Sequence, residues 1–84
     1  MIRDYLDASM ATAQYELLHD DGSWYGEIPL LDGVYANALT RNECQRELES
    51  VLEEWILFRV SEHLPIPTVG DFAILPFKTM AQDN

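Results

Sequence analysis

The fold is decided by one long stretch of the sequence, TRNECQRELESVLEEWILFRVSEHLP, at residues 40–65. Thr40 and Glu43 have the spacing of a capping box, which predicts the start of a helix at this point. Neither glycine nor proline interrupts the stretch before Leu64-Pro65, so it predicts one helix that ends near His63. Its apolar residues recur at helical spacing and predict a face that packs on a core. They are Cys44, Leu48, Val51, Leu52, Trp55 and Phe58.

Three short strands are predicted before the long helix, at residues 12–18, 23–28 and 34–38. Apolar and polar side chains alternate in them, as in strands with one buried face. Asp21-Gly22 and Asp32-Gly33 are turn signals between them. Short turns between successive strands are typical of an antiparallel meander.

Two further elements are predicted at the ends of the chain. Apolar spacing over residues 2–10 predicts a short amphipathic helix, and residues 72–75 predict a fourth strand. A mostly antiparallel sheet covered by one long helix is an α+β architecture. We therefore predict a single domain over residues 1–84, with its core at 12–77 and a frayed polar tail at 78–84.

The composition limits the functions that are open to the chain. Its 84 residues hold 5 Lys and Arg against 15 Asp and Glu, a net charge of -10, while apolar residues make up 48%. That apolar share predicts a folded domain, and the length leaves no room for separate cofactor-binding and catalytic domains. Such an acidic surface repels phosphate and attracts basic proteins, which predicts a basic partner and no direct contact with nucleic acid.

Cysteine count and hydropathy indicate the cellular compartment. A single cysteine excludes an intrachain disulfide framework and a multi-cysteine zinc site. The charged residues within positions 1–11 do not fit a signal peptide, and no apolar run reaches the roughly 20 residues needed to cross a bilayer. These features predict a cytoplasmic protein that makes no contact with a membrane.

Three groups of residues are candidates for chemistry. Glu16 and Glu27, on adjacent predicted strands, fit part of a two-metal nuclease site, yet strand glutamates usually line a solvated face. The turn at residues 19–21 carries a histidine and two aspartates that, joined by His63, offer metal ligands, yet a turn alone explains them. Cys44 lies where a helix dipole lowers a thiol pKa, but it shares the apolar stripe and lacks a histidine base. We predict no catalytic residue, no metal site, no cofactor and no enzymatic activity.

Strand parity and helix charge predict the residues that face a partner. One face of the sheet must pack under the long helix, and Tyr25 and Tyr35 have the parity opposite Trp24. They are therefore expected on the free face. Carboxylates concentrate on the long helix, and Glu49 and Glu53 among them are expected to meet the basic partner.

The last turns of the long helix predict a contact between copies of the chain. A helix from 41 to 63 spans about 34 Å, whereas a six-residue strand spans about 20 Å, so the helix runs past the sheet. Ile56, Leu57 and Val60 lie on faces that are charged earlier in the helix, and exposed apolar patches of this kind usually mark interfaces. The pattern predicts a homo-oligomer, most simply a dimer. The alternative is that another segment of the same chain covers these residues.

The order of these motifs resembles the HicB-like antitoxins over residues 13–76. The family pattern is a proline-rich loop ending in glycine, a short strand, a Thr-x-x-Glu-Ala helix start, a long acidic helix and a Pro-x-Pro connector. The matching segments are YELL at 15–18, DGSWYG at 21–26, EIPLLDG at 27–33, TRNEC at 40–44 and LPIP at 64–67. Leu30, Asp32 and Cys44 depart from the pattern, which has Asp, Pro and Ala at those places.

The resemblance implies both a fold and a function. It implies a partial RNase H-like fold, and an antitoxin that neutralises a small basic ribonuclease toxin of the HicA type by covering its active site. Many relatives carry a C-terminal DNA-binding module, and the residues after 76 are too few for one, which agrees with no direct contact with nucleic acid. The alternative is a stand-alone, homo-oligomeric interaction or scaffold protein that has no toxin partner.

Overall fold

The α+β class predicted from the sequence is confirmed. In the computed structural model, residues 2–70 are described, and the predicted fourth strand and the tail lie outside them. The described part contains two helices and three strands. In chain order they are α1 (Ile2–Ala11), β1 (Gln14–Leu17), β2 (Trp24–Glu27), β3 (Tyr35–Ala38) and α2 (Arg41–Ser61).

The three strands form the predicted antiparallel meander, in the order β1-β2-β3. Gly26 in the central strand lies opposite Tyr15 on one side and Ala36 on the other. Both predicted turns contain a glycine with positive φ, +73° at Gly22 and +90° at Gly33, which is a conformation that glycine adopts without steric cost. Each strand is one to three residues shorter than predicted, although single backbone hydrogen bonds, Leu18 to Ser23 at 2.8 Å and Ile28 to Val34 at 3.1 Å, continue the pairing into the loops.

The helix α2 begins with the predicted cap. Thr40 is extended, with φ -126° and ψ 159°, and its hydroxyl accepts a hydrogen bond from the amide of Glu43 at 3.1 Å. The same hydroxyl lies 3.2 Å from the Glu43 carboxylate and donates to it, so the two side chains bind each other directly. The helix ends at Ser61, close to the predicted end. Within residues 2–70, neither helix is both long and apolar enough to cross a membrane.

The buried face of α2 follows one row of residues four apart: Cys44, Leu48, Leu52 and Ile56. Four residues turn a helix by about 400°, so this row drifts about 40° around the axis at each step. The first of these residues therefore faces the sheet, where the Cys44 thiol lies 3.6 Å from the carbonyl of Ala36. The last faces α1, where Ile56 and Leu6 line the same small cavity. The prediction that Phe58 belongs to the core is wrong, since it is 60% exposed.

The N-terminal helix covers the end of α2 that runs past the sheet. The Tyr5 side chain of α1 is fully buried, and its hydroxyl donates a hydrogen bond to the carbonyl of Pro67 in the connector after α2. Ile56 is only 1% exposed, so its predicted place in an exposed patch is wrong. Val60 is half-buried against the same core, and Leu57 remains 65% exposed. The predicted overhang exists, but the same chain covers most of it.

Candidate functional site

Within residues 2–70, α2 covers one face of the sheet, and no described helix covers the other. Gly26 and Ala36 are buried under the helix, so their strand neighbours Tyr25 and Tyr35 point to the opposite side. The two tyrosine rings stack with centroids 6.3 Å apart, and Tyr35 is 59% exposed. We call this open face the tyrosine face. Its members are Gln14, Glu16, Tyr25, Glu27, Tyr35 and Asn37.

The tyrosine face is acidic as well as aromatic. The Tyr25 hydroxyl donates a hydrogen bond to Glu27 Oε1 at 3.1 Å. Partial burial raises the pKa of Tyr25, and the neighbouring Glu27 carboxylate raises it further. The phenol therefore stays protonated at neutral pH, and both glutamates of this face present negative charge beside aromatic rings. Such a surface suits an arginine or lysine side chain.

Among the described residues, the fold brings no additional carboxylate or histidine to the predicted nuclease and metal sites. Glu16 and Glu27 both lie on the tyrosine face. Asp21 is already used by the turn, since it accepts from the Ser23 amide at 3.0 Å and the Ser23 hydroxyl at 2.7 Å. These bonds hold the pKa of Asp21 below its usual value. Within the described residues, no three His, Cys, Asp or Glu side chains come together in a way that would hold a metal ion.

Cys44 is a core residue, as its place on the apolar stripe indicated. Its side chain is fully buried, and removal from water is the main cause that raises the pKa of its thiol. The Glu47 carboxylate raises the pKa further, while Arg41 opposes the shift. The position near the start of the helix is therefore outweighed by burial, and the thiol stays neutral.

The two glutamates predicted to meet a partner lie on a different side of the molecule from the two tyrosines. Glu49 binds Arg3 of α1 at 3.0 Å, and this bond is the main cause that raises the pKa of Arg3. Glu53 is exposed beside Leu6 and Leu57. The fold thus separates the predicted set into an open sheet face and a helix side next to α1, and it uses Glu49 to dock α1.

A groove between β3 and α2 is a further surface, which sequence reasoning missed. It has a volume of about 680 Å³, and a stripe of α2 forms one wall while the end of β3 forms the other. We call it the edge groove. It is lined by Asn37, Ala38, Leu39, Glu43, Arg46, Glu47, Ser50, Val51 and Glu54. The helical spacing of these glutamates is visible in the sequence, but only the topology shows that they lie beside an edge strand.

Arginines of the described part are largely engaged within the fold. Arg41 lies over the ring of Tyr15, 4.4 Å from its centroid. Arg59 lies 4.7 Å from the Trp55 ring and donates to the carbonyl of Pro65 at 3.0 Å. Arg3 binds two carboxylates. Among the arginines of residues 2–70, Arg46 is the one that lines the edge groove, beside three glutamates.

These features define a class of protein: a small acidic α+β domain with a three-stranded meander under one long helix. The chain belongs to the UPF0150-like family, which it matches over residues 4–67. It is similar to TTHA0281 from Thermus thermophilus, whose crystal structure it matches with a TM-score of 0.81 at 40% sequence identity. That similarity covers 87% of this chain and 90% of the other. No curated protein matches the chain.

Proposed function

We propose that the protein is an antitoxin of the HicB type, which binds a small basic ribonuclease toxin and covers its active site. The observation that carries this proposal is the charge of the fold: 15 acidic residues against 5 basic ones in 84 residues. Membership of the UPF0150-like family supports it, since these small proteins are often linked to toxin–antitoxin modules.

The mechanism follows from how a ribonuclease holds its substrate. A protein that binds RNA presents basic side chains to the phosphates, and phosphate contacts supply most of the affinity. Carboxylates on a rigid sheet or helix occupy those side chains in place of phosphate, so RNA is excluded by charge and by bulk. The tyrosine face offers Glu16 and Glu27 for this role, and the edge groove offers Glu47 and Glu54. In this proposal the protein acts in the cytoplasm and is not itself an enzyme.

The proposal is tested with the product of the neighbouring gene, provided that it encodes a small basic protein. We expect the two to co-purify, and we expect this protein to abolish the partner's RNA cleavage at equimolar ratio. Because the attraction is electrostatic, the association rate should fall about tenfold or more between low and high salt, with a much smaller change in dissociation. Stopped-flow mixing and an RNA-cleavage assay measure both effects.

The control is this protein alone, which should leave RNA intact. Cleavage that follows the purified protein and disappears in Glu27→Gln would show an enzyme instead of an inhibitor. The antitoxin proposal would be refuted by a partner that cleaves RNA equally well in the presence of this protein. Its electrostatic basis would be refuted by an association rate that does not change with ionic strength.

A second candidate function, a homo-oligomeric interaction protein, is favoured by one pair of residues. Leu57 and Phe58 are adjacent on α2 and are 65% and 60% exposed. If copies associate through them, Leu57→Asp with Phe58→Asp should give a folded monomer by light scattering and circular dichroism. Gln45→Asp, at another exposed position of the same helix, is the control and should leave the oligomer intact. A wild type that is monomeric at high concentration would end this candidate.

A further inference from the structure

The outer edge of β3 has backbone groups that no other described strand pairs. The sheet order is β1-β2-β3, so β3 is an edge strand within residues 2–70. The amide of Ile28 donates to the carbonyl of Val34 at 3.1 Å just before β3. Hydrogen-bonded pairs alternate in an antiparallel ladder, so Ala36 and Ala38 are the β3 residues that bond to β2. The N–H and C=O groups of Tyr35 and Asn37 therefore point to the outer edge, which no strand of residues 2–70 pairs.

The edge groove runs beside these groups and is acidic. Glu43, Glu47 and Glu54 line it, and Arg46 is the one basic residue among its lining residues. All three glutamates are exposed, and they lie on one side of α2 at spacings of four and seven residues. A segment that added to β3 would turn alternate side chains toward this stripe.

The dimensions of the groove fit one short extended segment. From Glu43 to Glu54 the helix rises about 16 Å, which is the length of about five residues in a strand. Glu43 and Glu47 are separated by about 6 Å along the helix, close to the ~6.7 Å between alternate strand residues. Leu39, 78% exposed, gives the groove an apolar end where β3 leads into α2.

The charge of the groove distinguishes between two possible occupants. A second copy of β3 would bring a second acidic stripe close to the first, and like charges across such a contact cost free energy. Charged side chains at a sheet edge are a known means by which proteins prevent edge-to-edge pairing with themselves. A basic strand meets no such penalty and neutralises the stripe.

We propose that the edge groove binds an extended basic segment of the partner. The segment adds to the outer edge of β3 as a further strand and turns arginine or lysine side chains to Glu43, Glu47 and Glu54. The inference deepens the proposed function, because it takes the partner to be basic and names where its chain binds. Backbone hydrogen bonds to Tyr35 and Asn37 supply the register, and the glutamates supply selectivity for basic sequences.

The test uses the full chain, labelled with ¹⁵N, and a synthetic six-residue peptide that alternates arginine with threonine. We expect the peptide to shift the amide signals of Tyr35 and Asn37 and to slow their hydrogen exchange. The same peptide with N-methylated backbone amides should bind about tenfold more weakly or worse, because it cannot complete the ladder. A peptide with glutamate in place of arginine should not bind.

Matched charge variants locate the site on the helix. At low salt, Glu47→Lys should weaken binding of the arginine peptide about tenfold, whereas Glu62→Lys should change it by less than about twofold. Glu62 is exposed at the C-terminal end of α2, outside the residues that line the groove. Both variants change the net charge equally, so the difference reports the groove and not the overall charge. Circular dichroism confirms that both remain folded.

Several results would overturn the proposal. Failure of the arginine peptide to bind, or equally strong binding of the N-methylated peptide, would contradict strand addition. Amide signal shifts that map to Tyr25 and Glu16, or to the α1 side, would place the peptide elsewhere. Equal effects of the two lysine variants would show that only the overall charge matters. If hydrogen exchange of the β3 amides slows as the protein concentration rises, without any peptide, then a second copy of the chain binds this edge. A toxin that is neutralised while the β3 amides stay unprotected would refute this inference and leave the antitoxin function standing. Peptide binding at β3 without neutralisation of any toxin would refute the antitoxin function and leave this binding site standing.

Discussion

Replacing Ile56 with alanine is expected to lower the free energy of unfolding by about 3 kcal/mol, whereas Leu57→Ala, one residue further along, should change it by less than about 0.5 kcal/mol. Ile56 is 1% exposed between α2 and α1, so the truncation leaves a cavity that the packed helices fill only in part. Leu57 is 65% exposed and leaves no cavity. Positions 56 and 57 are adjacent in the same helix, so the two substitutions differ mainly in how deeply the side chain is buried.

Urea denaturation followed by circular dichroism measures this difference. The m-value should stay the same in both variants, so that the midpoints report stability alone. Equal losses at the two positions would mean that Leu57 is covered as well, as it would be in a dimer formed through this helix. The measurement therefore also bears on the homo-oligomer candidate, and light scattering on the same samples separates the two explanations.

Replacing Gly26 with alanine is expected to lower the free energy of unfolding by about 2 kcal/mol. A Cβ atom at this position would lie 2.9 Å from Cδ1 of Tyr15 and 3.0 Å from the sulfur of Cys44. Both contacts are too short, and neither neighbour moves freely. The Tyr15 ring lies under the Arg41 guanidinium, and the thiol is enclosed between the sheet and α2. Gly26 thus allows the helix to lie close on the central strand.

A double-mutant cycle with Cys44→Ala tests that explanation. Removing the sulfur relieves one of three short contacts and leaves the two to the Tyr15 ring, so Gly26→Ala should cost less in the Cys44→Ala background than in the wild type. Chemical denaturation of the four proteins gives the coupling. Strictly additive losses would show that the cost comes from the strand backbone and not from crowding against the helix.

Local sequence determined the elements of this protein. The capping box at Thr40, the proline after the long helix and the Asp-Gly turns act over a few residues, so their effects are readable without any tertiary contact. The order of three strands and a long helix predicted the α+β class, and strand parity predicted that Tyr25 and Tyr35 share the face opposite α2. The acidic balance of the chain is likewise a property of the sequence alone.

Tertiary structure decided which residues of those elements are buried, paired or free. Averaged helical spacing put Phe58 in the core and Ile56 outside it, but the buried row drifts around α2 because the helix passes from the sheet to α1. Glu49 is drawn into an ion pair by Arg3, 46 residues away in the chain. The edge groove forms because α2 runs beside the end of β3, which is an edge strand of the sheet within residues 2–70. Each of these outcomes depends on contacts between distant segments, and periodicity along one segment carries no information about what packs against it.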